Sequence, residues 1–201
     1  MKNKSRLLVF ALIFASFSCK KEEPIPDPKV IPEPPVYVRI FSPGDTSLGA
    51  AYANKLTASW KASVYCKKSF FDATKLGIQF STYASDGEST RERIGLDAFP
   101  ENLPGTYRFA PKITGVKDLQ PGEVFTGCST WSSDGDVSED LYLIDSTDLQ
   151  NGLVINKIDL LNKRVEGTFH ISYNLQEPRI NPVNHKKVTF SEGRFWATIR
   201  D

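Results

Sequence analysis

Short runs in which apolar and polar residues alternate fill most of the chain after residue 36. In residues 164–175, "RVEGTFHISYNL", Val165, Phe169 and Ile171 occupy alternate positions on one face, whereas His170 lies on the other. A repeat of two is the period of a β-strand with one buried and one solvated face. The same period occurs in "LTASWKA", "KLGIQFSTY" and "RIGLDAF". These runs predict amphipathic β-strands.

Turn-forming residues separate the predicted strands, because glycine and asparagine accept the backbone angles that tight hairpins require. The clearest such turns are Ser85-Asp86-Gly87, Asn151-Gly152, Leu161-Asn162-Lys163 and Ser191-Glu192-Gly193. Their spacing predicts nine or ten strands in one all-β domain over residues 37–201. We expect an antiparallel two-sheet β-sandwich, with a lipocalin-like β-barrel as the alternative. A short helix is also considered at residues 48–54.

The N-terminal residues have the layout of a bacterial export signal. Lys2, Lys4 and Arg6 precede the apolar run 7–17, "LLVFALIFASF". Eleven apolar residues are too few to cross a bilayer as a helix, which needs about 20, but they suit a cleaved signal peptide. Residues 1–18 are therefore predicted to be removed. Cys19 would then be the first residue and would carry a lipid, although Ser16 and Phe17 depart from the usual residues before a lipidated cysteine.

A charged and proline-rich segment follows the cysteine. The residues just after Cys19 resemble a short tag that sends some lipoproteins to the cell surface, namely Lys20, Lys21, Glu22 and Glu23. Residues 24–35, "PIPDPKVIPEPP", contain six prolines. Proline fixes one backbone angle and removes a hydrogen-bond donor, so helix and interior strand are both excluded. We interpret residues 19–36 as a lipidated cysteine and an extended tether.

The charge balance excludes a nucleic-acid partner. The full chain carries a formal charge of +1, and removal of Lys2, Lys4 and Arg6 with the signal leaves +1 − 3 = −2. Nucleic-acid binding needs a concentrated basic surface, which a near-neutral domain does not supply.

Several segments together resemble uncharacterised lipoproteins of Bacteroidetes-type bacteria, and the likeness covers about three quarters of the mature chain. They are "LTASWKA", "LPGTYRF", "NGLVINKID", "VEGTFHI" and "SEGRFWATI". Ser59 departs from that pattern, because a glycine-containing turn is common before the tryptophan. The resemblance implies a β-rich domain and an outer-membrane location, facing the cell surface or, alternatively, the periplasm. It implies no activity.

No motif in the sequence indicates catalysis or a cofactor. The two histidines, His170 and His185, have no cysteine or carboxylate at metal-ligand spacing and are interpreted as surface residues. One weak calcium candidate exists, because five oxygen-bearing side chains recur near residues 134–145. They are Asp134, Asp136, Ser138, Asp140 and Asp145. Glu139 stands where a calcium loop needs glycine, so a solvated loop is preferred.

The remaining candidate residues are two cysteines and two of the three tryptophans. Cys66 and Cys128 form an even pair in an exported protein, so a disulfide and two buried thiols are equal alternatives. Trp60 shares the face of its apolar neighbours and is assigned to the core. Trp131 and Trp196 lie beside polar positions and are candidates for a ligand surface.

These observations lead to one functional expectation. We expect a lipid-anchored cell-envelope protein that acts as a non-catalytic binding or structural module, with the membrane as partner through its lipid and a glycan or envelope protein as ligand. The alternatives are a barrel that binds a small apolar ligand and a polysaccharide-acting enzyme.

Overall fold

The computed structural model describes residues 38–111 and 119–200 and is composed of β-strands, turns and loops. Within these residues no helix is long and apolar enough to cross a membrane. The predicted signal peptide, Cys19 and the tether lie outside the described residues.

The described residues form ten strands, in agreement with the predicted number. They are β1 (Gly49–Lys55), β2 (Ala58–Lys68), β3 (Lys75–Tyr83), β4 (Thr90–Pro100), β5 (Gly105–Phe109), β6 (Glu123–Trp131), β7 (Ser138–Ile144), β8 (Gly152–Asp159), β9 (Arg164–Leu175) and β10 (Lys187–Thr198). The helix considered at residues 48–54 is wrong, because this segment is β1. Its alanines pair with β2 on one side and with β10 on the other.

The strands close into a barrel, so the predicted two-sheet sandwich is wrong and its stated alternative is correct. Nine strands form the ring in the order β1-β2-β3-β4-β6-β5-β8-β9-β10, and β10 pairs back onto β1. The tenth strand, β7, pairs with β6 and with β9. All these pairings are antiparallel except the short parallel contact of β5 with β6. Closure satisfies the backbone groups that the outer strands of a sandwich leave unpaired.

Strand direction defines two ends of the barrel. β1, β3, β6 and β9 all run the same way, because one antiparallel strand lies between β1 and β3 (β2), between β3 and β6 (β4), and between β9 and β1 (β10). We call the end where they finish the upper end and the end where they begin the lower end. The turn between β3 and β4 therefore lies at the upper end, and the turn between β2 and β3 lies at the lower end.

Alternate side chains of each strand point into the barrel and form one core. The inward residues of β9 predicted from the sequence, Val165, Phe169, Ile171 and Tyr173, are all buried. Aromatic rings fill the centre: the ring of Phe80 stacks on that of Phe169 at 5.0 Å between centroids. Such ring pairs bury large areas and favour offset or edge contacts.

Two glycines make room for these rings. Gly193 is paired with Phe169, and a Cβ on this glycine would lie 2.5 Å from a carbon of that ring. Gly167 is paired with Phe195 in the same way, and its Cβ would lie 2.7 Å from the Phe195 ring. A phenyl ring thus covers each glycine across the β9–β10 pair, a known means of stabilising glycine within a strand.

Candidate functional site

The predicted lipid-attachment and export residues precede the part of the chain that the structure describes. Cys19 and the tag residues Lys20, Lys21, Glu22 and Glu23 precede residue 38, where the described chain begins. Their roles remain predictions.

The five oxygen-bearing candidates for calcium do not converge. Asp134 accepts hydrogen bonds within its own turn, from the Ser132 hydroxyl and the Asp136 amide. Asp140 points into the barrel, and Asp145 pairs with Lys187 at 2.6 Å. Among residues 38–111 and 119–200, no group of three or more histidine, cysteine, aspartate or glutamate side chains is arranged to hold a metal ion.

Asp140 and Asp145 instead hold loops in place. The buried Asp140 carboxylate accepts hydrogen bonds from the Ile180 amide at 2.6 Å and from the Asn184 side chain at 2.7 Å. It thereby fixes the loop between β9 and β10 over the upper end. Asp145 accepts from Lys187 and Thr147, and these hydrogen bonds lower the pKa of its carboxyl well below the ordinary value.

The two cysteines are free and buried. Cys66 lies on β2 and Cys128 on β6, and two strands, β3 and β4, stand between them. Three strand spacings of about 4.8 Å separate them along the wall, whereas the Cα atoms of a disulfide lie within about 7 Å. Of the two alternatives left by the sequence, the structure therefore has buried thiols. Burial raises the pKa of Cys66 to about 12 and also raises that of Cys128.

Both candidate tryptophans lie on the outer wall, and each stacks with an arginine. The Arg93 guanidinium lies 4.2 Å from the centre of the Trp131 ring, and Arg164 lies 4.8 Å from that of Trp196. The two rings are on β6 and β10, which are not adjacent in the ring of strands. They therefore belong to separate surfaces.

Trp131 borders an open groove on the outer wall. The groove crosses β3, β4 and β6, where Gln79 pairs with Gly95 and Gly95 pairs with Gly127. A Cβ on Gly95 would have no atom within 4 Å, and one on Gly127 would touch only the ring of Phe125. The absent side chains leave the strand backbone exposed as a floor. We call the site floored by Gln79, Gly95 and Gly127 the glycine groove.

The walls of the glycine groove combine aromatic, aliphatic and planar polar side chains. Phe125 lies on the lower side, with the Phe71 ring 5.7 Å from it. Arg93 and Ser129 lie on the upper side, and Leu141 closes the far end. The volume there is about 300 Å³. A second hollow of about 250 Å³ shares Gln79 and Gly95 and extends the groove across β2.

One nitrogen beside the groove lacks a protein partner. The Nε of Arg93 is buried and makes no hydrogen bond with the part of the chain that the structure describes. The same guanidinium donates to the Thr90 hydroxyl through another nitrogen at 3.3 Å. Arg93 is therefore held in position beside the groove with hydrogen-bonding capacity left over.

The upper end of the barrel interior is polar but nearly full. Lys55 and Glu92 form a buried ion pair there, and Glu92 also accepts from the Trp60 indole at 3.2 Å. The Thr82 hydroxyl donates to the same carboxylate at 3.3 Å. The cavity beside the pair holds about 20 Å³, which suits one water molecule and not an apolar ligand.

A serine, an aspartate and a histidine meet on the outer face of β9 but cannot act as a catalytic triad. Asp148 contacts the His170 ring at 3.3 Å and accepts from the Ser172 hydroxyl. In a triad the histidine lies between the serine and the acid, so that it can take the serine proton. Here the acid lies in the middle, and Ser172 is buried. His170 is thus partly covered, with 22% of its side-chain surface exposed.

Comparison of the chain with protein-family models, curated proteins and solved structures finds no match in any of the three.

Sequence reasoning missed the groove, although a signal for it was present. "KLGIQ" and "RIGLD" each place a glycine at an outward position of a predicted strand, and "FTGCS", for which no strand was predicted, carries a third. Glycine weakens a strand interior and often marks close approach by another group. The missing information was the register, which sets Gly95 opposite Gly127.

Proposed function

We propose that this protein is a lipid-anchored, non-catalytic binding module of the bacterial cell envelope, which holds its ligand in the glycine groove. The lipid on Cys19 supplies the membrane attachment, and residues 20–36 supply the spacer. The exposed location on the outer membrane remains the preferred one.

The observation that carries the binding role is the groove itself. Two adjacent strands, β4 and β6, present glycine on its floor beside Gln79 of β3, while aromatic rings stand at its margins. Sugar rings present both apolar faces and hydroxyl groups, so they suit a floor of backbone between Phe125 and the donors of Arg93 and Gln79. A glycan is therefore the ligand class that this chemistry favours.

Binding is tested with the unlipidated chain from Lys20 to Asp201 on a glycan array, followed by titration of the glycans retained. The variant Gly95→Leu would fill the groove and should abolish binding. Gly105→Leu is the matched control, because a Cβ there also meets nothing within 4 Å. Failure of the array to retain any glycan, or equal binding by both variants, would contradict the proposed site.

The anchor is tested separately by intact-mass analysis of protein produced in a bacterium that acylates lipoproteins. We expect a chain that begins at Cys19 and carries the added mass of acyl groups. The variant Cys19→Ala should lose those groups and leave the membrane fraction. A product that retains residues 1–18 would refute the anchor without bearing on the groove.

A further inference from the structure

The glycine groove continues across four strands as one trough. Tyr65 on β2 is paired with Gln79 on β3, which is paired with Gly95 on β4 and, through it, with Gly127 on β6. Three strand spacings of about 4.8 Å make this row about 14 Å long. The two hollows along the row share Gln79 and Gly95, so they adjoin. A single sugar ring would fill only part of the trough, whereas a chain of linked sugars would lie along it.

Aromatic rings follow the lower side of the trough. The Phe125 and Phe71 rings lie 5.7 Å apart between centroids, and the Phe71 and Phe70 rings lie 5.4 Å apart. Phe125 borders the hollow at β6, and Phe70 borders the hollow at β2. Because this row of rings reaches both hollows, a ligand in the trough meets aromatic surface along its length, which suits the apolar faces of sugar rings.

Unpaired cations lie along the same trough. Arg93 borders the hollow at β6, and Lys67 borders the hollow at β2. The Arg200 guanidinium lies 5.1 Å from the centre of the Tyr65 ring, and the Lys67 ammonium lies 5.6 Å from the same centre. None of these three cations forms an ion pair with the part of the chain that the structure describes. Their charge is therefore available to a ligand.

The other charged groups of the trough do not cancel this excess. Lys68, at its margin, is paired with Glu101, so these two charges offset each other. Asp97 is the one carboxylate among the described residues that line the two hollows. It accepts a hydrogen bond from the Ala98 amide at 2.7 Å and covers Gly77, where a Cβ would lie 2.9 Å from its oxygen. Three unpaired cations and one carboxylate favour a negatively charged ligand.

Arg93 is held in the orientation that an acidic group would need. Its guanidinium stacks on the Trp131 ring and donates to the Thr90 hydroxyl. The planar fork of guanidinium N–H groups matches two oxygens of a carboxylate or sulfate, which makes arginine the usual partner of such groups. An arginine that is positioned by a ring and a hydroxyl, and has no acidic partner of its own, is suited to that recognition.

We propose that the ligand of the glycine groove is a linear acidic polysaccharide, which lies along the trough with acidic groups at Arg93 and Lys67. This inference rests on the proposed function and narrows the ligand from glycans in general to chains that carry carboxylate or sulfate groups. The aromatic row contacts the sugar faces, and the cations select acidic chains over neutral ones. Salt screens the attraction between exposed charges, so the affinity should fall as sodium chloride is added.

The test titrates the unlipidated chain from Lys20 to Asp201 with acidic polysaccharides and their neutral counterparts. Oligogalacturonate carries carboxylates, and its methyl ester has the same backbone without the charge. Dextran sulfate carries sulfates, and dextran is its neutral counterpart. We expect binding of at least one acidic chain, with its neutral counterpart at least about tenfold weaker. The acidic chain that binds more tightly identifies the acidic group.

Three variants locate the binding. Arg93→Gln and Lys67→Gln should each weaken binding of the acidic chain by about tenfold. Arg194→Gln is the matched control, because it removes the same charge from an arginine that lies over the Tyr52 ring on another part of the outer wall. Melting temperatures check that each variant is folded, and Lys67→Gln provides the test if Arg93→Gln is not. Equal loss of binding in the control and in the groove variants would overturn the proposal, because attraction to overall charge would then explain the binding.

The remaining outcomes separate this inference from the proposed function. If a neutral glycan binds in a manner that Gly95→Leu abolishes, and acidic chains bind no more tightly, the acidic ligand is overturned and the binding role stands. If neither the acidic chains nor any glycan on the array binds, both are overturned. Monomeric galacturonate should bind at least about tenfold more weakly than the chain, because it occupies only one hollow. Equal affinity of monomer and chain would overturn the extended mode of binding.

Discussion

The buried pair of Lys55 and Glu92 is the residue-scale feature with the largest expected energetic consequence. Both side chains are almost fully covered, with 6% and 4% of their side-chain surface exposed. The attraction within such a pair offsets the cost of removing two charges from water, so the pair as a whole adds little stability. Loss of one partner, however, leaves the other charge buried and uncompensated.

We predict that Glu92→Leu lowers the free energy of unfolding by about 3 to 5 kcal/mol, whereas Lys55→Met/Glu92→Leu recovers most of it. Urea denaturation of the two variants measures this difference. Lys68→Met is the control, because its exposed pair with Glu101 is worth at most about 1 kcal/mol. Equal destabilisation by the single and double variants would show that the hydrogen bonds of Trp60 and Thr82 to Glu92 matter more than the charge of Lys55.

The Asp145 carboxyl predicts how stability responds to acid. Hydrogen bonds from Lys187 and Thr147 hold its pKa below the ordinary value of 3.8, so the folded state resists protonation more than the unfolded chain does. The resulting stabilisation is fully present above that ordinary value and is lost as pH falls below it. The parent should therefore lose more stability than Asp145→Asn between pH 5 and pH 2.5. The control Asp136→Asn changes an exposed carboxylate and should lose as much stability as the parent over this pH range. Urea midpoints of the three chains at each pH measure the difference.

At the scale of residues, the sequence predicts the burial of apolar side chains better than the burial of polar ones. The alternation correctly assigned Trp60 to the core and Trp196 to the outer wall. It could not predict that Glu92 or Asp140 is buried, because a polar residue is tolerated inside only when distant residues supply its partners. Those partners lie on other strands or loops, as with Lys55 and Asn184.

At the scale of elements, two strand glycines differ in the space around them. The position that a side chain would take is filled by neighbouring atoms at Gly167 and is empty at Gly95. A methyl group on Gly167 would collide with the Val154 carbonyl and the Phe195 ring, while one on Gly95 would meet nothing within 4 Å. We predict that Gly167→Ala lowers the free energy of unfolding by about 1 to 3 kcal/mol through overpacking. Gly95→Ala should be neutral or slightly stabilising, since alanine restricts the unfolded chain. A large loss in Gly95→Ala would indicate that the barrel wall needs flexibility there.

Strand positions were predictable from the sequence, but strand partners were not. The period of two fixes which side chains face inward, and it is the same whether the strands form two stacked sheets or one closed barrel. Whether the strands form a sandwich or a barrel depends on whether the last strand pairs with the first. Here Ala51 on β1 pairs with Phe195 on β10, a contact between residues far apart in the sequence that no local pattern encodes.

The glycine groove illustrates the same limit. Gly95 could be placed at an outward position of a predicted strand from the alternation, whereas Gly127 could not, because Phe125 and Trp131 share its outward face and Thr126 and Thr130 face inward. The groove exists only because the register aligns Gly95 with Gly127 across two strands. That register runs without a bulge from Glu92 opposite Thr130 to Asp97 opposite Phe125, and no local pattern in either strand encodes it.

At the scale of the whole molecule, the two thiols report on the integrity of the closed barrel. Cys66 and Cys128 both lie in the core, and burial raises the pKa of each thiol, so almost no reactive thiolate exists at neutral pH. Because a closed ring has no free outer strand that can peel away, a reagent reaches these sulfurs only after the wall opens.

We predict that a maleimide modifies neither thiol in the folded chain from Lys20 and modifies both in 6 M guanidinium. The labelling rate in intermediate urea should follow the unfolded fraction measured by tryptophan fluorescence, and it should be equal for Cys66→Ala and Cys128→Ala, each of which retains one thiol. Faster labelling of one cysteine below the unfolding transition would show instead that its part of the wall opens independently, most simply where short β7 joins β6 and β9.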